Sequence, residues 1–221
     1  MSQPRHILMF GSTSPAGIAF CLAALRDSHS LTLYVRNVSK LPVEISSNTT
    51  IITGELNDAT AVEKAVSCGA TTCISLLGPV LGSGKRGYKP ITNGYELILP
   101  LLQKHNYIRA MFVSTASYRA PQDGFSLFFA LMVWSVYLLF QAAYDEINGF
   151  TPLFAKLPVD DLNWTVFRVP LLMNGEAKPV KAGFIGGNVG LSVDRKALAE
   201  WVLREMDEGK WIGRFPAVSN A

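Results

Sequence analysis

The residues best suited to binding chemistry lie near the start of the chain, where the apolar run His6–Phe10 leads into a turn of small residues. Residues 11–17 read Gly-Ser-Thr-Ser-Pro-Ala-Gly, and a helical pattern begins within them, with proline where a first helical turn accepts it. Such a turn lets backbone N–H groups and the positive end of the helix dipole face a pyrophosphate, while its last glycine permits close packing of helix on strand. The residues predicted to bind a dinucleotide here are Gly11, Thr13, Ser14, Pro15, Ala16 and Gly17.

Ser14 stands where such turns usually carry their middle glycine. Its Cβ narrows the approach of the backbone to a phosphate, whereas its hydroxyl can donate a hydrogen bond. The substitution leaves open a non-redox isomerase or cyclase, because the same fold serves many chemistries.

Arg36 follows the second apolar run, residues 31–35. Dinucleotide folds place the group that reads the adenosine ribose about twenty residues after the turn. An acid there would accept from the ribose hydroxyls of NAD, whereas an arginine fork complements a 2′-phosphate and stacks on adenine. We therefore predict NADP(H) as the cofactor; the alternative is that Arg36 only caps a strand end in solvent.

Short apolar runs alternate with amphipathic helical patterns along the chain. Buried strands are predicted at residues 6–10, 31–35, 50–53, 73–77, 110–114 and 164–169, and helices at 16–27, 59–68, 94–104 and 194–207. A short apolar run, 190–193, precedes the last helix, and residues 82–90 have the composition of a loop. This alternation predicts a single α/β domain over residues 1–221, a Rossmann-type doubly wound and mostly parallel sheet with helices on both faces.

Four further segments match a known family in their order along the chain. They read Gly-Glu-Leu-Asn-Asp at 54–58, Ser-Leu-Leu-Gly at 75–78, Phe-Val-Ser-Thr at 112–115 and Trp-Thr-Val-Phe-Arg-Val-Pro at 164–170. With the turn and Arg36, they make the chain resemble the atypical short-chain dehydrogenase/reductase group, specifically its NmrA-like and flavin/biliverdin-reductase-like NAD(P)-binding proteins. The resemblance covers nearly the whole chain.

This resemblance implies further contacts with the cofactor. Glu55 and Leu56 would meet the adenine edge, although relatives usually carry Asp where this chain has Glu55. The segment Leu77, Gly78 and Pro79 would flank the cofactor after the fourth strand. Ser114 and Thr115 would face the nicotinamide end, and Pro170 and Leu171 would close the far side.

Candidate catalytic residues are Ser114, Tyr118 and Tyr144. Short-chain dehydrogenases usually protonate their product with a Tyr-x-x-x-Lys pair, in which the lysine lowers the pKa of the tyrosine. This chain has Asn148 at the lysine position after Tyr144, and Gln122 at that position after Tyr118. The structural alternatives are that Tyr144 seals the preceding apolar segment and that the hydroxyls of residues 114 and 115 satisfy loop backbone.

An uncharged segment, residues 125–143, lies within a predicted helical insertion at about 121–157. A single membrane crossing there would divide one sheet between two sides of a bilayer, which the fold forbids. A helix apolar on nearly all sides must instead be covered by the substrate pocket, by a partner chain in a homodimer, or by the outer layer of a membrane. The side chains expected to form a lid over a hydrophobic substrate are Phe128, Phe129, Met132, Trp134, Tyr137 and Phe140.

Composition excludes several other classes of protein. The net charge of +3 is small and the basic residues are scattered, so no nucleic-acid partner is expected. The three cysteines form no Cys-x-x-Cys pair and the three histidines have no ligands at metal spacing, so we expect a reduced, cytoplasmic protein without a metal. The start of the chain lacks the pattern of a signal peptide, and we expect no secretion; membrane association through residues 125–143 stays an alternative.

Three functions follow from these observations. The leading one is an NADPH-dependent oxidoreductase, a reductase that acts on a hydrophobic small molecule, because the cofactor itself carries hydride chemistry. The second is an NmrA-like regulator that senses the cofactor without turning it over and reports to a protein partner. The third is the non-redox isomerase or cyclase.

Overall fold

A computed structural model describes residues 3–82 and 84–221. Its strands are β1 (His6–Phe10), β2 (Ser30–Val35), β3 (Thr50–Thr53), β4 (Thr72–Ser75), β5 (Arg109–Thr115), β6 (Asn163–Val169), β7 (Leu171–Met173), β8 (Val180–Gly183), β9 (Ser192–Asp194) and β10 (Ala217–Asn220). Eight of them form one sheet in the order β3-β2-β1-β4-β5-β6-β10-β8, and β7 pairs with β9 in a separate parallel ribbon. Every pairing in the large sheet is parallel except that of β10 with β8.

In the described part of the chain, seven α-helices connect and cover the strands. They are α1 (Pro15–Arg26), α2 (Val43–Ser46), α3 (Ala59–Val66), α4 (Pro90–Lys104), α5 (Leu127–Leu139), α6 (Gln141–Ala155) and α7 (Arg195–Glu208). A continuous apolar strand is expected where both faces of a parallel sheet are covered, because alternate side chains point to opposite faces. In β1, Ile7 and Met9 pack with the cluster under α1 and α7, whereas Leu8 and Phe10 pack with the cluster under α3, α4 and α6. The predicted doubly wound α/β fold is confirmed.

The predicted elements are all present, with ends that differ by a few residues. The largest shift is in α4, which begins at Pro90, four residues before its predicted start at Gly94. The predicted strand at 73–77 ends earlier, at Ser75, and the run at 190–193 contributes β9. The predicted loop at 82–90 is irregular at 84–89; Ser83 lies outside the described residues.

The expectation of one helix through residues 125–143 was wrong. The helix breaks at Phe140, whose backbone angles (φ −135°, ψ 47°) are not helical, and α5 and α6 meet there at 113°. Among the described residues, no single helix has the length and apolarity to cross a membrane; α5 and α6 satisfy those two criteria only when taken together across their bend. Both ends of the segment return to one sheet, because β5 and β6 are paired along their length.

A buried ion pair fixes the loop that leads into α5. Asp123 and Arg168 form a two-pronged contact, with Nη1 to Oδ2 at 2.5 Å and Nη2 to Oδ1 at 2.8 Å, and their side chains are 2% and 0% exposed. Asp123 also accepts from the backbone N–H groups of Ala120 and Ile185. A carboxylate and guanidinium this deeply buried are tolerated because their remaining hydrogen-bonding sites are satisfied. The pair ties the loop before α5 to β6 and to the segment after β8.

Candidate functional site

A crevice runs along the carboxyl ends of the parallel strands, where open α/β sheets bind ligands. It consists of two cavities that share Gly78, Pro79, Val80 and Ala143. We call them the polar cavity, of about 420 Å³ beside β2 and β3, and the apolar cavity, of about 390 Å³ beside β5 and β6. The turn at residues 11–17 lies where they meet: Gly11 and Thr13 line the polar cavity, and Ser14, Pro15 and Ala16 line the apolar one.

The two glycines of this turn are required by its geometry. Gly11 has φ +80°, and a Cβ there would lie 2.6 Å from the carbonyl carbon of Leu76. A Cβ on Gly17 would lie 2.2 Å from the carbonyl oxygen of Gly11. Any side chain would therefore push the turn away from β4 or α1 away from the turn. Because the positive end of the α1 dipole faces the junction of the cavities, the turn fits a pyrophosphate.

Ser14 uses its hydroxyl to cap α1. Its Oγ accepts from the N–H of Gly17 at 3.0 Å and donates to the carbonyl oxygen of Gly11 at 2.9 Å. A serine is among the best residues for this position, because its oxygen satisfies an N–H that the helix leaves unbonded. The hydroxyl proton is thus engaged within the turn, which gives the departure from glycine a structural reason.

The polar cavity contains the residues predicted to read adenosine. Arg36, Glu55 and Leu56 all line it, and the Arg36 guanidinium lies 4.0 Å from the Glu55 carboxylate. The Arg36 side chain is 72% exposed, so this weak ion pair leaves its donors accessible. Tyr34 supports the wall by donating its hydroxyl to the carbonyl oxygen of Glu55 at 2.8 Å, and burial raises the pKa of Tyr34 to about 12.

Glu146 forms a part of the polar cavity that the sequence did not reveal. Its carboxylate accepts from the backbone N–H groups of Ile91 and Thr92 at 2.9 and 3.0 Å and from the Thr92 hydroxyl at 2.8 Å. These N–H groups belong to the first turn of α4, where a helix has no internal acceptors and its dipole favours a negative charge. Glu146 therefore anchors α6 to the first turn of α4 beside the polar cavity. The sequence shows it only as the second of two adjacent acids in α6, and its partners lie more than fifty residues earlier in the chain.

The apolar cavity is lined mainly by aliphatic side chains, with Arg195 the one charged residue among its described lining residues. Ser114, Thr115 and Pro170, which the sequence assigns to the nicotinamide end and the far side of the site, line this cavity. Ser114, which is 1% exposed, shares a hydrogen bond of 2.8 Å with the hydroxyl of Thr151. Thr115 Oγ1 accepts from the N–H of Ser117 at 3.2 Å, so the expected alternative, a hydroxyl that satisfies loop backbone, is present in the structure.

Neither candidate tyrosine lines either cavity. Tyr144 packs its ring edge on Tyr137, with 5.2 Å between ring centroids, and Asn148 donates to the carbonyl oxygens of Tyr144 and Ser117. Tyr118 packs against Phe215, and burial raises its pKa above the ordinary value. A catalytic tyrosine needs a lowered pKa and access to the reacting group, so the geometry does not support Tyr118 or Tyr144 in that role.

The predicted aromatic lid is also corrected. Of its six side chains, only Met132 lines the apolar cavity, and the other cavity residues of α5 are Val133 and Val136. The helix presents most of its aromatic side chains to the outside, while Phe129 is buried in a small cluster at its base. The wall over the cavity is therefore aliphatic.

The structure brings nearly all the predicted cofactor residues together. Every one of them lines one of the two cavities except Gly17, which packs behind the turn, and the additionally implied Leu171 lines the apolar cavity. Arg195, which sequence reasoning missed, begins α7 directly after β9. The short apolar run at 190–193 before a predicted helix was the available signal, because it contributes β9, and α7 begins beside the apolar cavity where β9 ends.

Comparison with known proteins agrees with this geometry. The family model described as NAD(P)H-binding matches residues 11–208, from the first glycine of the turn through α7. The chain belongs to the NAD(P)H-binding family. The match confirms the predicted nicotinamide dinucleotide. A search of curated protein sequences found no match.

Solved structures similar to this family member share its whole fold at low identity. The anaerobilin reductase ChuY from Escherichia coli O157:H7 is 14% identical, with a TM-score of 0.71 and 97% of each chain covered. The oxidoreductase ylbE from Lactococcus lactis is 16% identical, with a TM-score of 0.74 over 98% of this chain and 91% of that one. A protein from Bacteroides thetaiotaomicron named for an expected epimerase activity is 17% identical, with a TM-score of 0.73 over 99% and 98%. At these identities the likeness establishes the fold, and function must be argued from the site.

Proposed function

We propose that this protein is an NADPH-dependent reductase that acts on a hydrophobic small molecule. The observation that carries the proposal is the continuity of the crevice, in which a polar cavity containing Arg36 meets an apolar cavity at a phosphate-binding turn. A dinucleotide is long and polar at its adenosine end, so the polar cavity suits that end. The apolar cavity then receives the nicotinamide and a substrate beside it.

The preference for NADPH rests on Arg36. Among the described residues that line the polar cavity, it alone carries a positive charge. Its exposed guanidinium can form a charge-assisted, forked contact with a 2′-phosphate. The Glu55 carboxylate lies 4.0 Å from the Arg36 guanidinium and repels an anion bound there. The 2′-phosphate must therefore compete with this weak ion pair for Arg36.

The cofactor, when bound, supplies the hydride, and the side chains of the apolar cavity hold the nicotinamide in position and exclude water from it. Val113, Val133 and Val136 contribute aliphatic walls that exclude water. Among the described residues lining this cavity, the polar side chains are serine, threonine and arginine, with no carboxylic acid, histidine, tyrosine or lysine. The proton that balances the hydride therefore comes from water at the crevice mouth in this proposal.

The same lining favours a second candidate, a sensor that binds the dinucleotide without turnover. A cavity whose described lining includes no carboxylic acid, histidine, tyrosine or lysine can hold a nicotinamide without assisting proton transfer. The two candidates share the binding site and differ in whether a substrate oxidises the bound NADPH.

Fluorescence titration of the purified protein with NADPH and NADH tests the cofactor assignment. We expect NADPH to bind more tightly, and Arg36→Ala to weaken NADPH by about 1.5–3 kcal/mol, roughly ten- to a hundredfold, while NADH is unchanged. The control is Arg204→Ala, an exposed arginine on α7. Equal affinities for the two nucleotides in the parent protein would contradict the NADPH preference.

Turnover is tested separately by following nicotinamide absorbance with hydrophobic carbonyl and conjugated-alkene compounds. Loss of absorbance that depends on one of these compounds supports the reductase. Tight NADPH binding with no oxidation across the panel would favour the sensor. No binding of either nucleotide would overturn both and leave the non-redox alternative.

A further inference from the structure

Helix α5 presents an unusually apolar outer face. Leu131, Trp134 and Leu139 are 57%, 62% and 72% exposed, and Phe125, Leu127, Phe128, Tyr137 and Leu138 are exposed beside them. Together these eight side chains form what we call the outer face of α5. A contiguous exposed apolar surface of this kind marks an interaction site more often than chance solvent exposure does.

The outer face carries no charge of its own but lies beside a basic loop. Residues 84–89 contain Lys85, Arg86 and Lys89 and no acid, and the side chains of Lys85 and Arg86 are exposed. The loop packs on the junction of α5 and α6: a Cβ on Gly84 would lie 2.7 Å from the Cβ of Ala142. The basic loop therefore adjoins the carboxyl end of α5.

We propose that the outer face of α5 and the basic loop dock this protein on the surface of an anionic lipid bilayer. Apolar and aromatic side chains on one side of a helix insert into the outer layer of a membrane, and lysine and arginine at its edge contact anionic headgroups. The bend at Phe140 lets α5 lie along the surface, since α6 turns back into the fold at 113°.

A second copy of the chain fits this surface less well. A two-fold dimer places the same patch on both partners. The outer face of α5 and the basic loop contain basic residues and no acid, so self-association would bring like charges together without a counter-charge within the patch. An anionic bilayer supplies that counter-charge and covers the apolar side chains as well.

Docking also places the apolar cavity beside the lipid. Met132, Val133 and Val136, on the inner side of α5, line that cavity, so one helix separates it from the docked surface. This arrangement suits a substrate that is dissolved in the membrane. That consequence rests on the proposed function, whereas the docking itself does not.

Trp134 provides a direct test, because the other tryptophans are shielded: Trp164 and Trp201 are each 4% exposed and Trp211 is half-buried. The probes are vesicles of phosphatidylcholine with and without phosphatidylglycerol, added to the purified full chain without nucleotide. We expect co-sedimentation and a blue shift of tryptophan emission with the phosphatidylglycerol vesicles. Trp134→Phe should abolish the shift while most of the sedimentation remains.

Two pairs of variants separate the apolar and basic contributions. Leu131→Gln with Leu138→Gln should lower vesicle binding by about tenfold or more, since each leucine loses its burial in lipid. The matched control is Val43→Gln with Ile108→Gln, two side chains exposed elsewhere on the surface. Lys85→Glu with Arg86→Glu should lower binding to phosphatidylglycerol vesicles by about tenfold or more, with Lys40→Glu and Lys64→Glu as the control.

Three results would overturn the proposal. The first is no binding to either vesicle. The second is a dimer in sedimentation equilibrium, with Trp134 already shielded before lipid is added, which would assign the face to a second copy. The third is equal binding to both vesicles, which would remove the role of the basic loop. Because the assay uses neither nucleotide nor substrate, its failure leaves the proposed reductase untouched, and failure of NADPH binding leaves the docking result standing.

Discussion

The two cavities of the crevice are built by different means. One side of the polar cavity is formed by the glycine turn and by the segments that follow β1, β2 and β3, so its shape depends on backbone conformation, while α4 and α6, joined by Glu146, complete the other side. The apolar cavity is closed by α5, which is held in place by contacts between distant parts of the chain, above all Asp123 with Arg168.

The largest expected effect comes from breaking the support of the apolar cavity. Asp123→Ala should lower the free energy of unfolding by about 3–5 kcal/mol, because it leaves the Arg168 charge buried without a partner. Urea denaturation measures the change. Glu200→Ala is the matched control: it removes an equally well-formed but exposed pair with Arg26 and should cost about 1 kcal/mol or less.

Asp123→Ala also tests whether the two cavities are supported independently of each other. Under conditions where Asp123→Ala is still folded, its affinity for NADPH should fall by less than that of Arg36→Ala, because the polar cavity is intact, while amide hydrogens of α5 exchange faster. A loss of NADPH affinity as large as that of Arg36→Ala would show that the two cavities are not separately supported.

A change in the glycine turn should lower the free energy of unfolding less than Asp123→Ala does, and it should weaken dinucleotide binding more. Gly17→Ala places a Cβ 2.2 Å from the carbonyl oxygen of Gly11, so the turn and α1 must move apart. We expect a loss of about 1–3 kcal/mol in the free energy of unfolding and loss of dinucleotide binding in titration. Gly183→Ala, whose Cβ would meet Val189 at an ordinary 3.4 Å, should leave binding intact.

The difference between local patterns and long-range contacts explains what the sequence could predict. Short stretches of neighbouring residues predict the turn at 11–17, the position of Arg36 and the six strands β1 to β6. The structure places these features as expected. The break at Phe140 has neither glycine nor proline to mark it, so the sequence did not predict that α5 ends at Leu139. The Asp123–Arg168 pair joins residues far apart in the chain, which no spacing rule connects. The sequence therefore predicted the turn and strand ends that border both cavities, and it missed the long-range contacts, that of Glu146 among them, that complete their walls.

The smallest effect is expected at Ser114, whose hydroxyl is either purely structural or also a contact for the nicotinamide. Its hydroxyl is paired with that of Thr151 at 2.8 Å, so Ser114→Ala should lower the free energy of unfolding by about 0.5–1.5 kcal/mol through that hydrogen bond alone. Combining it with Thr151→Val, which removes the other hydroxyl at similar volume, should then cost less than the sum of the two single changes.

NADPH titration of the same variants decides what Ser114 does beyond stability. If the hydroxyl only joins β5 to α6, NADPH affinity is unchanged in both single variants and in the double variant. If it also contacts the nicotinamide, Ser114→Ala weakens NADPH whereas Thr151→Val does not, because only Ser114 lines the cavity. The second result would make Ser114 the polar residue that orients the cofactor within an otherwise aliphatic wall.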